Sequence, residues 1–97
     1  MATIVVERSE RNGSYEFKVT IREGGDASHH RVTLRGTDYE RLTSGAASPD
    51  ALVTESFRFL LEREPKEAIL ISFDLPVIGR YFPEYEREMA RRLSVSD

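Results

Sequence analysis

Apolar and polar residues alternate along three stretches of the first third of the chain, residues 3–8, 14–22 and 29–35. A period of two with frequent β-branched and aromatic side chains predicts strands. Asn12-Gly13 joins the first two stretches. That dipeptide suits a two-residue type I′ turn, which needs positive φ at both central positions. Such a turn sets the register. Ile4 falls opposite Ile21, Val6 opposite Val19 and Arg8 opposite Phe17 on one face, with Glu7 opposite Lys18 and Val5 opposite Thr20 on the other. Apolar residues then meet apolar residues and opposite charges meet, as cross-strand pairing favours. The second turn is expected through Glu23-Gly24-Gly25-Asp26-Ala27-Ser28. Setting Arg22 opposite His29 places Val19 against Val32, Phe17 against Leu34 and Glu16 against Arg35. The two registers agree on the buried face, giving a meander of order 1-2-3 with residues 14–22 in the centre.

Beyond residue 36 the period changes to that of helices. Thr37-Asp38-Tyr39-Glu40 has the form of a capping box and predicts a short turn through Leu42. Ser44-Gly45-Ala46-Ala47 reads as a loop. Ser48-Pro49-Asp50 is a strong helix start: a serine cap, a proline at the first helical position, and an acid facing the positive end of the dipole. This helix is expected from Pro49 to about Glu64, with Val53, Phe57, Leu60 and Leu61 as its core stripe and Leu52 and Phe59 widening it. Pro65 disfavours helical geometry at Glu64 and ends it.

Residues 65–82 support two readings. Pro65-Lys66-Glu67 resembles a first helical turn, and helix is the favoured reading on that ground. Residues 68–73, Ala-Ile-Leu-Ile-Ser-Phe, equally form a short buried strand, which periodicity cannot separate from helix over so few positions. Asp74 is placed to cap a further short helix through Tyr81, in which Gly79 costs about 1 kcal/mol relative to alanine. Pro83 opens a last helix to about Leu93, with Tyr85, Met89 and Leu93 as its stripe. Glu84–Arg87, Glu88–Arg91 and Glu88–Arg92 are spaced to support it from outside, and residues 94–97 are expected to fray. The predicted fold class is thus α+β. Residues 1–97 form one domain, with a three-stranded antiparallel meander (3–35) packed on a long helix and short helices after it (37–93 mainly helical).

Composition narrows the chemistry. Ninety-seven residues suffice for one modest core. The absence of cysteine removes disulfides, thiolate metal sites and thiol catalysis. No apolar run approaches the roughly 18 residues of a membrane span, and the N-terminus lacks the pattern of a secretory signal, so a cytoplasmic protein without membrane contact is expected. A net charge of −3 argues against a dedicated nucleic-acid binder. Twelve of the fourteen basic residues are arginine, a bias that a GC-rich genome explains as readily as a ligand does, so it carries no functional weight.

Candidate sites are few. His29 and His30 project to opposite faces of a strand and cannot share one ion, so no metal ligand is expected. The outward sheet face carries Lys18, Arg22, Arg31 and Arg35 beside Thr20 and Thr33. RNA-binding sheets display aromatics for base stacking, whereas Tyr15 and Phe17 here face the core and Glu7 and Glu16 offset the charge. No nucleophile-elbow serine is present, and Gly24-Gly25 lacks the Lys-Ser/Thr of a phosphate loop. Neither catalytic residues nor a cofactor are expected. The densest run of unusual residues is 73–86, where Arg80, Tyr81, Phe82 and Tyr85 stand close together. Aromatic residues and arginine dominate interface hot spots, so this segment is the expected contact surface.

The stretch Arg58-Phe59-Leu60-Leu61-Glu62-Arg63-Glu64-Pro65, followed by Phe73-Asp74-Leu75 and Ile78-Gly79-Arg80-Tyr81-Phe82-Pro83-Glu84-Tyr85-Glu86, resembles a group of small, uncharacterised bacterial proteins. The likeness is clearest over the last 40 or so residues. It implies a bacterial source and transfers no activity or site residue. A meander followed by a helix also resembles some antitoxin and double-stranded-RNA-binding domains, in topology alone. The expected function is a non-catalytic interaction or regulatory module whose partner is another protein or a second copy of itself (a homo-oligomer). An antitoxin-like nucleic-acid-associated module and a small enzyme or enzyme subunit are the alternatives.

Overall fold

Asn12 (φ 52°) and Gly13 (φ 77°) both occupy the left-handed region and close a two-residue turn between β1 (Thr3–Arg11) and β2 (Ser14–Glu23) in a computed structural model that describes residues 2–94. The register follows from that turn: Ile4 lies opposite Ile21, Val6 opposite Val19, Arg8 opposite Phe17 and Glu7 opposite Lys18. All four pairs are those expected from sequence.

The second hairpin differs from expectation by two residues. β3 spans Asp26–Arg35, and Gly24 (φ 64°) with Gly25 turns the chain in two residues rather than six. Arg22 therefore faces Ala27, Val19 faces His30, Phe17 faces Val32 and Glu16 faces Thr33. Because the shift is even, every side chain keeps its face. Phe17, Val19, Ile21, Val32 and Leu34 are all buried, and His30 joins them.

The sheet is mixed and has four strands, order β1-β2-β3-β4, not three. β4 (Ser72–Asp74) runs parallel to β3, with Ser72 opposite Arg31, Phe73 opposite Val32 and Asp74 opposite Thr33. The favoured helical reading is thus overturned for residues 65–74, where the alternative strand is shorter than 68–73, while the short helix expected through Tyr81 does form. The proline start yields only a single 3₁₀ turn, Lys66–Ala68, before the backbone extends. Tertiary pairing explains the outcome. The Arg31 amide donates to Ile71 O (2.7 Å), the Thr33 hydroxyl to Asp74 Oδ1 (2.7 Å), and Phe73 packs on Phe57 with ring centroids 6.0 Å apart. An otherwise open sheet edge is satisfied in this way.

α1 (Gly36–Thr43) starts two residues earlier than its capping box implies, with Arg35 rather than Thr37 at the N-cap, and no side chain caps it. The Gly36 amide donates instead to Gly13 O (2.9 Å), which holds the helix start against the first hairpin turn. α2 (Pro49–Leu61) begins as predicted, with Ser48 Oγ accepting from the Ala51 amide at 3.0 Å. It stops three residues short of Glu64, where the chain tightens ahead of Pro65 and both Arg63 N and Glu64 N bond to Leu60 O. A 3₁₀ turn at Leu75–Val77 leads into the short α3 (Ile78–Tyr81). Asp74 precedes that turn but makes no cap. α4 (Tyr85–Leu93) begins two residues after Pro83. Of the expected pairs along α4, Glu88 bonds Arg91 and Arg92, whereas Glu84 reaches Arg63 (3.1 Å) rather than Arg87. Residues 95–97 of the expected frayed tail lie outside those described.

The core lies between one sheet face and the helices. Leu52, Val53, Phe57 and Leu60 of α2 and Tyr85 and Met89 of α4 meet the buried sheet residues. Each large side chain removed from water contributes about 1.5–3 kcal/mol. Arginines tie α4 down from outside. Arg92 bridges Glu62 (2.6 Å) and Glu88 (3.0 Å), and Arg41 of α1 meets Glu86 (2.6 Å). No helix among the described residues is long and apolar enough to cross a membrane.

Candidate interaction cleft

The extended segment between α2 and α3 leaves a cleft of about 300 Å³ against the end of α2. Leu60, Ile69, Phe73 and Ile78 supply its apolar floor, while Leu70, Tyr81 and Phe82 stand along its rim. Leu70 is 46% exposed and Tyr81 67%. Glu64 supplies the only carboxylate in the lining and, among the described residues, forms no ion pair.

Three anchors fix this segment. His30 lies buried on β3, its Nδ1 hydrogen donating to Leu70 O (2.8 Å) and its Nε2 accepting from the Ser28 hydroxyl (2.9 Å). A carbonyl can only accept, which puts the hydrogen on Nδ1, and in the neutral ring Nε2 is then the acceptor. The ring also packs 5.5 Å from that of Phe57. Lys66 is the second anchor. Its side chain is 6% exposed and meets Glu67 (2.6 Å) and Asp26 (3.3 Å), so the start of the segment is pinned to the β2–β3 turn. The bond to Glu67 raises the lysine pKa against the opposing effect of burial, and Lys66 in turn lowers that of Asp26. Third, Arg63 lies over the Phe59 ring at 3.6 Å and bonds Glu84 (3.1 Å), while Phe82 meets the same ring edge-on at 5.8 Å. The rim is therefore held from both ends.

The four residues singled out in 73–86 separate. Arg80 and Tyr81 are exposed, and Phe82 is half-buried in the cleft wall. Tyr85 belongs to the core: it is fully buried, its hydroxyl donates to Ser56 Oγ (2.7 Å), and Ser56 donates on to Leu52 O (2.7 Å). Burial raises the phenol pKa well above its usual value, with the Ser56 bond acting against it. The helical spacing of Tyr85 and Met89 already marks a core stripe, and a first-turn aromatic on that stripe points inward.

Lys18, Arg22, Arg31 and Arg35 share the outward sheet face but do not converge. Only Lys18 and Arg31 are directly opposite one another. Glu7 lies across from Lys18, Glu16 approaches Arg31 (4.0 Å) and Asp38 approaches Arg35 (3.6 Å). Arg22 pairs with Ala27, which places it roughly 27 Å along the strand from Arg35 at about 3.4 Å per residue. The exposed apolar residues on that side are Val5 and Ile71. His29 is exposed and its Nδ1 meets the Thr20 hydroxyl (3.3 Å), on the face opposite His30 as expected. Among the described residues no three His, Asp or Glu side chains are grouped to hold a metal ion.

Sequence reasoning missed Leu60, Glu64, Ile69 and Leu70 as cleft residues. Their one signal is the apolar run Ala68-Ile69-Leu70-Ile71, too long for a tight turn and too short to bury itself. Comparison with protein-family models, curated proteins and solved structures finds no match for this chain.

Proposed function

We propose that the protein is a non-catalytic interaction module that binds an extended segment of a partner protein in the cleft between α2 and α3. The observation carrying this reading is an apolar cleft with Leu70 and Tyr81 presented at its rim and one carboxylate, Glu64, in its wall. Its volume is at the bottom of the roughly 300–1,000 Å³ range of small-molecule sites, which suits one or two side chains. A single acidic group gives no pair of convergent polar groups for acid–base or nucleophilic chemistry. It does suit a lysine or arginine next to the apolar side chain that fills the cleft. Apolar grooves edged by aromatic side chains are also how short linear segments are commonly captured.

The test is selection of random displayed peptides on the wild-type protein, with the Leu70→Glu, Tyr81→Glu double variant as counter-target. Enriched peptides are expected to carry a large apolar residue beside a basic one and to lose at least about tenfold in affinity on the double variant. Amide chemical-shift changes should concentrate at residues 60–82. Peptides that bind both proteins equally, or whose shifts map to the outward sheet face, refute the reading.

A further inference from the structure

β1 is an outer strand of the sheet, and of the usual blocks its free edge carries only charged side chains. It contains no proline and no lysine, it pairs with β2 without a bulge over nine consecutive positions, and Glu7 through Arg11 are all exposed. Long regular edges of this kind are templates for another strand. Which strand fits follows from the residues themselves. Glu7-Arg8-Ser9-Glu10-Arg11 is self-complementary when read antiparallel about Ser9. We infer that two copies of this chain associate edge to edge through β1, with Ser9 on the twofold axis, Glu7 opposite Arg11 of the second copy, and Arg8 opposite Glu10.

The backbone is compatible with that register. In a two-residue hairpin the closing pair, here Arg11 and Ser14, exchanges both hydrogen bonds, and such pairs alternate along the ladder. Odd residues of β1 thus bond to β2, leaving the amides and carbonyls of Arg8 and Glu10 on the open edge. These are the two positions the register pairs. An axis perpendicular to the sheet keeps the helical layer of both copies on one side, so each side chain meets a partner on its own face.

Neighbouring registers are worse. Moving the axis to Glu7 sets Glu7 against itself, and moving it to Arg8 sets two arginines together. An axis at Val6 leaves Ile4 facing Arg8 and Val5 facing Glu7. The rivals are axes at Val5, which pairs Ile4 with Val6, and at Ile4, which pairs it with itself, and neither forms a charge pair. Glu7, Arg8, Glu10 and Arg11 would meet apolar positions or like charges on most foreign strands. On a second copy centred at Ser9 all of them are matched, Arg8 adding Glu10 of that copy to the Asp50 it already meets within its own chain (3.4 Å), which selects the second copy as the occupant.

The absence of cysteine makes the test direct. Ser9 pairs with itself at a non-hydrogen-bonded position, where Cα atoms lie about 4.5 Å apart, within the range a disulfide spans. Ser9→Cys is expected to oxidise to a covalent dimer, whereas Val5→Cys stays monomeric. Sedimentation equilibrium of the wild type should show a concentration-dependent dimer. Glu10→Arg should raise its dissociation constant on the order of tenfold, by turning two attractive cross-strand pairs into repulsions. Adding Arg8→Glu and Asp50→Asn to Glu10→Arg restores complementarity between copies without setting two acids together within the chain, and should recover the dimer. Circular dichroism of each variant checks that the monomer is folded. The inference is overturned by a wild type that stays monomeric at all concentrations, by cross-linking at Val5→Cys in place of Ser9→Cys, or by a dimer indifferent to both charge variants.

Discussion

The imidazole of His30 on β3 and the backbone carbonyl of Leu70, 40 positions later in the chain, are joined by a 2.8 Å hydrogen bond that ties the cleft rim to the sheet. The same ring accepts from Ser28 and packs on Phe57, so one buried side chain connects the hairpin, α2 and the segment before β4.

His30→Leu keeps an apolar group in that space but strands the Leu70 carbonyl and the Ser28 hydroxyl. A loss of about 1–3 kcal/mol in urea unfolding is expected. Amide exchange at residues 72–74 should accelerate by more than exchange in β2. Uniform acceleration across the sheet would show that His30 stabilises the whole domain without acting on the rim in particular.

Tyr81 and Tyr85 are four residues apart with opposite roles. Tyr85→Ala empties a fully buried site and should cost about 3–5 kcal/mol, while Tyr85→Phe leaves Ser56 without its donor and should cost about 1 kcal/mol. Tyr81→Ala is expected to stay within about 0.5 kcal/mol of wild type, because the ring is largely exposed. Chemical denaturation of the three variants measures all of this. Reversal of the order would mean that the rim and core assignments are exchanged.

Gly36 is required by a close approach. A Cβ there would lie 2.8 Å from Gly13 O, the acceptor of its own amide bond, so the α1 start and the first turn would have to separate. Gly36→Ala should therefore destabilise by about 1–3 kcal/mol. Gly25→Ala meets open space and should change stability far less. Equal melting temperatures for the two variants would argue against the contact.

Acid should weaken α4 itself and, through Arg92–Glu62, its attachment to the end of α2. Bonds from Arg91 and Arg92 lower the Glu88 pKa from its ordinary 4.5 to about 2, and Arg92 lowers that of Glu62 in the same direction. The unfolded chain binds these protons first, so stability from these pairs is complete above about pH 4.5 and is lost as pH falls towards 2. The groups are solvent-accessible, so added salt should shrink the effect. Melting temperatures between pH 5 and 2 should fall less steeply for Glu88→Gln than for wild type. Parallel curves would exclude Glu88 as a contributor.

How far the sequence could be read depended on whether an element is determined locally. Asn12-Gly13 permits essentially one turn, and the β1–β2 partners follow from it. In the second hairpin, polar residues flanking Gly24-Gly25 resemble a loop although Glu23 and Asp26 still pair, which displaced the register by two while preserving its faces. β4 has no adequate local signal, because three residues become a strand only when β3 offers an edge and Phe57 a contact for Phe73. The cleft is less legible still. Leu60 and Leu70 come together through His30, Lys66 and Arg63, whose partners lie on other elements. Tyr85 was misread as a contact residue because composition marks aromatic density without marking orientation.

Parallel pairing of β4 with β3 also sets an order of assembly. Both hairpins close through two-residue turns and can form early, but Ser72 must find Arg31 only after α1 and α2 have been traversed. Closing so long a loop costs entropy before any contact rewards it. The cleft rim is consequently expected to be the last part of the domain to lock, closing against a sheet already formed. A partner bound in the proposed cleft would stabilise the domain at the segment that closes last, at the cost of ordering it.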